Sequence, residues 1–345
     1  MKKLTVNVVS ESAISVRGHG VHTAFLEMVR SFKTHPEIQL RVNAFSLQSG
    51  SDITHIHTVG IRALKLLWFA RGKKVVSAHV IPASLLGSLR LAKYWLPIAR
   101  YYLKWCYKKA DAIVAVSRTV ADTLIDDMKV PASKVHVIYN NIDITLYKRS
   151  PRRKKDARKR LELSATAHII VGVGQVQPRK RLDTFIACAH ALPQMQFIWV
   201  GGMPFKQLGA DYAKMQKMIQ HVPDNMIVTG LKEHDEVRHY LHAADVFMLP
   251  AEQENHPMAV IEAAASGLPI VLRDIPEYHD TFKDDALLCV TTEDFVTALK
   301  KLLQYKSLRE VFIKKADKIA QRFDSSHTAQ QYIDLYHTVI KGNNL

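Results

Sequence analysis

Short apolar, β-prone runs alternate with amphipathic helical stretches through both halves of the chain, which confines it to α/β folds built on parallel sheets. In the first half these runs are KLTVNVVS (Lys3 to Ser10), HIHT (His55 to Thr58), VVSAHVIP (Val75 to Pro82), AIVAVS (Ala112 to Ser117) and VHVIYNNID (Val135 to Asp143). In the second, one opens HIIVGVGQVQPRKRLDTFI (His168 to Ile186) and another is VFMLP (Val246 to Pro250). Each is followed by a helical pattern, predicting two doubly wound, Rossmann-like domains with ligand sites at the carboxyl ends of their strands. A length of 345 residues accommodates two such domains. The boundary is expected near Lys148 to Lys159, where SPRRKKDARKR breaks the apolar periodicity. The expected division is 1–150, 151–326 and a terminal helix in 327–345.

Chemistry shows in PAEQENHPMAVIEAAASGLP, Pro250 to Pro269, where Glu254 and Glu262 stand eight residues apart. VFMLP reads as a buried strand, Met258 to Ser266 as a helix, and Gly267 with Pro269 as its stop. A strand, a polar loop and a helix N-terminus present backbone amides, here of Met258 and Ala259, to an anion such as phosphate. The carboxylates suit a ligand that also carries ribose or hexose hydroxyls, and a sugar nucleotide has both. By itself the spacing is equally compatible with a solvated loop and two unrelated glutamates. A second strand-to-helix crossing adds Arg179 and Lys180 after Gly172 and Gly174, basic side chains that suit a diphosphate. A third, after the first strand, has Gly18 and Gly20 ahead of a helix expected over Thr23 to Phe32, where a phosphate or sugar could approach the backbone. His79 ends its strand and is a further candidate.

The formal charge is +16, and it is unevenly spread. Residues 53–110 contain eleven Lys and Arg and no Asp or Glu. Arg90, Lys93, Arg100, Lys104 and Lys108 follow at helical steps and share one face, with Trp95 and Trp105 among the flanking aromatics. Pro97 is expected to split this stretch into two helices. Cations beside Trp and Tyr make the pattern of a helix lying in an anionic membrane interface. A merely solvated basic face is the alternative. Nucleic acid is disfavoured because no recognition module or aromatic single-strand platform accompanies the charge.

With these motifs together, the chain resembles retaining glycosyltransferases of family 4, and within them the bacterial glycolipid synthases that glycosylate diacylglycerol or its monohexosyl derivative. The resemblance rests on Glu254 and Glu262 at the family's spacing, on GHGVHTAFLE, VVSAHVIPASLLGS, GQVQPRKRLDTF and ENHPMAVIEA, and it covers most of the chain. It implies a GT-B fold, two Rossmann-like domains facing across a cleft, with HTAQQYIDLYHTVI (His327 to Ile340) crossing back to the first. It implies that Glu254 faces the transferred hexose, Glu262 holds the ribose, Arg179 and Lys180 stabilise the departing diphosphate, and His79 serves the hexose or the acceptor hydroxyl. Two departures stand out: Gln175 where Arg is commoner, and Asn255, His256, Pro257 in place of Gly-aromatic-Gly. The expected reaction is transfer of galactose or glucose from UDP-galactose or UDP-glucose to monoglucosyldiacylglycerol. Diacylglycerol itself, a soluble or cell-wall acceptor, and a non-catalytic sugar-nucleotide-binding scaffold are the alternatives.

No run of eighteen apolar residues exists, and Met1, Lys2, Lys3 lead straight into a strand, so neither a spanning helix nor a signal peptide is expected. Cys106, Cys188 and Cys289 are scattered, which suits a reducing compartment and no structural zinc. No metal cofactor is expected, and the enzyme is placed peripherally on the cytoplasmic face of the membrane.

Overall fold

The structure, a computed structural model, describes residues 3–12, 20–47 and 50–342. It divides into two compact units, one of Met1–Leu86, Leu91–Asp143 and Phe323–Leu345, the other of Gly87–Arg90 and Ile144–Arg322. Each is built on a six-stranded, wholly parallel sheet.

The first sheet runs β2-β1-β3-β4-β5-β6, from β1 (Leu4–Val9), β2 (Ile38–Val42), β3 (Ile53–Ile56), β4 (Lys73–Ala78), β5 (Ala112–Ala115) and β6 (Val135–Val137). Its central strands are buried on both faces, as a parallel sheet between helices requires. On one face Val6, Val8, Ile53, Val75 and Val114 pack with Phe25, Met28 and Phe32 of helix Gly20–Lys33 and with Tyr332, Ile333 and Tyr336 of helix Ser325–Lys341. Alternate residues on the other face, Val9, Ile56, Val76 and Ile113, meet Leu66 and Leu67 of helix Ile61–Phe69 and Leu103, Cys106 and Tyr107 of helix Ala92–Lys109. The period-two alternation of the strands thus feeds two cores from one sheet.

The second sheet runs β12-β11-β10-β7-β8-β9, from β7 (Ile169–Val173), β8 (Gln196–Val200), β9 (Met226–Val228), β10 (Val246–Leu249), β11 (Ile270–Arg273) and β12 (Leu287–Cys289). Chain order reverses between β7 and β10, which pair directly through Val246 with Ile170 and Phe247 with Val171. That reversal is the position at which doubly wound sheets open a crevice for ligands.

Three local expectations are corrected. The basic run expected to mark the boundary is helix Pro151–Arg160, capped by Ser150, whose side chain accepts from the Arg153 amide. Lys154 and Arg158, one turn apart, both reach Asp245, so this helix is a packed element of the second unit. Pro97 does not split its segment. Helix Ala92–Lys109 is continuous, and the exposed proline forgoes one backbone bond while the helix stays anchored through Leu103, Cys106 and Tyr107. The first helix begins at Gly20 rather than Thr23, and Gly18 lies outside the described residues.

His55, within β3, has no exposed surface and is bonded through Nδ1 to Tyr336 Oη (2.5 Å) and through Nε2 to Ser77 Oγ (2.7 Å). Burial, with His79 adding to it, pushes its pKa down to about 3. Between that value and the ordinary 6.5 of the unfolded chain, unfolding takes up a proton, so stability falls as pH falls. The expected contribution approaches about 1.4 kcal/mol per pH unit below 6.5 for this histidine. Urea midpoints at pH 7.5, 6 and 5 should therefore drop, and less steeply in His55→Gln; a flat wild-type profile would count against a neutral buried His55.

Candidate active site

The loops after β7 and β10 leave adjacent strands side by side. After Val173 the chain turns at Gly174, passes through the short turn Pro178–Lys180 and enters helix Leu182–Ala191. After Leu249 it crosses Pro250 to Pro257 and enters helix Met258–Ala265. The second loop is tied to the first: the Glu252 amide donates to Arg179 O (2.8 Å), Arg179 Nη1 donates to Gln253 O (2.8 Å), and Arg181 pairs with Glu252.

At the centre, Lys180 Nζ pairs with Glu254 Oε1, and Arg179 Nη1 stands 3.7 Å from Glu254 Oε2. Lys180 and Glu254 are both buried. Burial pulls the Lys180 pKa down, Glu254 opposes this, and Arg179 adds to it. Two cations thus face one carboxylate at a buried position, where charge interactions are strong. Glu277, in the turn after β11, has its carboxyl pushed up by burial and by the charge of Glu254.

Support beneath Lys180 comes from β8. Trp199 Nε1 donates to Gly174 O (2.9 Å), and Gly201, at φ +146°, passes so close that a Cβ there would lie 1.9 Å from the same oxygen. Only glycine fits this position. The methylenes of Lys180 lie over Gly174, its Cε 3.5 Å from where a Cβ would stand.

Glu254, Arg179 and Lys180 are thus brought together, whereas Glu262 has other company. It is buried in the second turn of its helix with His234 Nδ1 at 3.8 Å, and His234 Nε2 meets Tyr147 Oη at 2.8 Å. Met258 and Ala259 occupy the first two helical positions, where amides have no intrahelical acceptor. The ring of His256 turns into the core and stacks on Phe282 (5.7 Å between centres, 8° between planes). Burial pushes its pKa to about 3, so it stays neutral and adds no charge beside the amides. Ser88 is a member of the site that carries no signal in the sequence. Its Oγ accepts from Arg179 Nε at 2.8 Å, and it belongs to Gly87–Arg90, the stretch of early sequence that joins the second unit. No local pattern could have revealed it.

In the first unit, His79 follows the last residue of β4 and its Nε2 lies 3.0 Å from His57 Nδ1. Gly20 is the first residue of its helix and is exposed. Helix Ala92–Lys109 carries an outward stripe of Tyr94, Ile98 and Tyr101, each more than two-thirds exposed, with Lys93, Arg100 and Lys108 beside it. Helix Ile61–Phe69 adds exposed Trp68 and Phe69, and Lys109 Nζ stands 4.6 Å over the Trp68 ring. The expected set is corrected in two ways. Arg90 lies outside the helix and in the second unit, so it does not share the stripe. Trp95 and Trp105 are half-buried, Trp105 packing on Trp68 at 5.4 Å, so the exposed aromatics are mainly tyrosines. Lys104 is half-buried at the edge of the stripe. Among the described residues no helix is long and apolar enough to cross a membrane, and no group of three or more His, Cys, Asp and Glu is placed to hold a metal.

A cation pair at the strand-order reversal of a parallel, doubly wound unit is an arrangement that suits phosphate-bearing ligands. Residues 5–146 match the family described as Glycosyltransferase Family 4, and residues 153–319 match Glycosyl transferases group 1. The chain is 31% identical to alpha-galactosylglucosyldiacylglycerol synthase of Streptococcus pneumoniae, over 97% of this chain and 90% of that one. It is 29% identical to processive diacylglycerol alpha-glucosyltransferase of Acholeplasma laidlawii, over 72% of this chain and 74% of that one. HepE of Anabaena, solved with UDP and glucose, shares the fold with a TM-score of 0.78 at 18% identity, covering 97% of this chain and all of that one. The protein belongs to the family 4 glycosyltransferases, is an enzyme of that class, and has the GT-B fold.

Gly201→Ala should lower stability by at least about 2 kcal/mol, because either the Gly174 carbonyl moves or the backbone leaves φ +146°. Urea unfolding measures this. Gly230→Ala is the control, since it also replaces a glycine at positive φ but its Cβ would meet nothing within 4 Å. Equal losses in the two variants would remove the argument from close approach.

Proposed function

We propose that the enzyme moves galactose or glucose from a UDP-sugar to a membrane glycolipid, monoglucosyldiacylglycerol in the first instance, giving a dihexosyldiacylglycerol with retention of configuration. The observation that carries this reading is the Arg179, Lys180 and Glu254 cluster at the strand-order reversal of the second unit. Arg179 and Lys180 hold the diphosphate, with the amides of Met258 and Ala259 on its oxygens. Glu262 accepts from the ribose hydroxyls and Glu254 from the hexose. His79 serves the hexose or the acceptor hydroxyl. The C1–oxygen bond to the diphosphate breaks and a bond from C1 to the acceptor oxygen forms on the same face. The hydroxyl proton passes to the departing phosphate oxygen, so no protein base is assigned. The two cations stabilise the charge that grows on the leaving group, the step at which preorganised charge acts most strongly.

The acceptor class is supported by the glycolipid named as product of the pneumococcal relative and by the outward face of helix Ala92–Lys109. Tyr94, Ile98 and Tyr101 enter the headgroup region while Lys93, Arg100, Lys104 and Lys108 meet anionic lipid, each basic group contributing about 1 kcal/mol near the surface. The enzyme then works peripherally, on the cytoplasmic leaflet. Diacylglycerol is the second reading for the acceptor, favoured by the Acholeplasma relative.

Purified enzyme offered UDP-glucose or UDP-galactose with diacylglycerol or glucosyldiacylglycerol should give dihexosyldiacylglycerol from one donor and the monohexosyl acceptor. Product from diacylglycerol alone selects the second reading. Lys180→Ala and Glu262→Ala should lower kcat/KM by about a hundredfold or more; unchanged rates would exclude this donor site. Lys104→Glu with Lys108→Glu should weaken binding to phosphatidylglycerol vesicles by at least about tenfold and leave neutral vesicles unaffected. Binding that ignores both the charge reversal and the lipid charge would refute the membrane face.

A further inference from the structure

His57 lies between two partners of opposite capability. Its Nε2 is 3.2 Å from Met28 Sδ, and its Nδ1 is 3.0 Å from His79 Nε2. A thioether sulfur has lone pairs and no proton to give, so the contact with Met28 is a hydrogen bond only if His57 Nε2 carries the proton. His57 is buried, and burial, with His55 and His79 adding to it, pushes its pKa well below the usual range. It is therefore neutral, and a neutral imidazole protonated at Nε2 has a bare Nδ1 that can only accept. The proton between His57 and His79 consequently belongs to His79 Nε2.

We propose that Met28 and His57 form a tautomer lock that holds His79 with its proton on Nε2, so that in the neutral form Nδ1 is the acceptor it offers to a sugar hydroxyl. Met28 and His57 are positioning residues, acting through His79. The lock is built into the first unit's core. His57 stacks on His55 (5.0 Å, 26°), which Tyr336 and Ser77 hold from either side, and Phe25 meets the His57 ring edge-on at 5.8 Å. His79 stacks in turn on His57 (5.1 Å, 22°), so three rings form one column ending at the strand terminus. The His57 ring, buried between those of His55 and His79, has its tautomer set by its partners rather than by solvent. The sugar hydroxyl rests on the role proposed above for His79, whereas the lock rests on the contacts alone.

Proton–nitrogen correlation spectra of the full chain distinguish protonated from bare imidazole nitrogens. The expected pattern is Nε2 protonated and Nδ1 bare in both His57 and His79. Met28→Leu keeps the volume and removes the acceptor, so both rings become tautomer mixtures and kcat/KM falls by about tenfold, the size of one hydrogen bond. His57→Phe should lose about as much. His57→Asn, whose Oδ1 stands where Nδ1 does and accepts, should keep the His79 tautomer and recover most of the rate. A wild-type His79 protonated at Nδ1, or a His79 tautomer unchanged in both Met28→Leu and His57→Phe, overturns the lock. If the tautomers are as expected but His79→Ala turns over normally, the lock stands and the role of His79 in transfer fails.

Discussion

The pairing of β7 with β10 is the constraint on which the second unit depends. Parallel strands adjacent in a sheet deliver their following loops to the same edge, and only where chain order reverses do those loops splay apart enough to leave a crevice. Lys180 and Glu254 are 74 residues apart in sequence and meet because Val246 and Phe247 lie in register with Ile170 and Val171. A buried ion pair contributes little net stability, since desolvation offsets most of the attraction. Its value here is specificity. With Arg179 alongside, the pair fixes two loops in one geometry and sets two cations against one carboxylate.

The support for that geometry is mostly neutral and mostly backbone. Trp199 Nε1 on Gly174 O and the Glu252 amide on Arg179 O are ordinary hydrogen bonds, each contributing about 1 kcal/mol, and the Arg179 guanidinium on Gln253 O is a stronger, charge-assisted one. Lys180 itself is ordered by its pair with Glu254, at a cost of up to about 2 kcal/mol of rotamer freedom.

Sequence was most informative where the signal is local. The strand-to-helix crossings, the glutamate spacing and the helix from Met258 were legible because apolar runs, stop residues and first-turn chemistry are all encoded within a few positions. Ser88 was not, because its bond to Arg179 joins positions 91 apart. His256 was read as a departure from a glycine-rich loop, which it is, but its stacking on Phe282 depends on the packing of a later segment. Pro97 leaves its helix continuous, since propensity is a weak prior against the burial of Leu103, Cys106 and Tyr107 in the same helix. The tautomer of His79 was beyond sequence altogether, because it follows from a methionine, a histidine and a strand end that only the fold brings together.

The two basic stretches show the same limit from another side. Pro151–Arg160 and Ala92–Lys109 both read as cationic helices, yet they solve opposite problems. Asp245 takes up Lys154 and Arg158 of the first; burial alone would raise its pKa, but Lys154, the Ile169 amide and Arg158 hold it below the carboxylate range. That helix spends part of its charge internally, in fixing itself to β7 and β10. Residues 53–110 contain no acid at all, so the second helix has no carboxylate from its own segment to turn towards. Its charges stand outward beside Tyr94, Ile98 and Tyr101, where solvation alone would give no reason for exposed aromatic and aliphatic surface. A basic run therefore becomes informative only with its partners: where a buried aspartate answers it, as Asp245 does, it is structural, and where exposed apolar side chains accompany it, as on helix Ala92–Lys109, it is the face for which we proposed an anionic membrane surface.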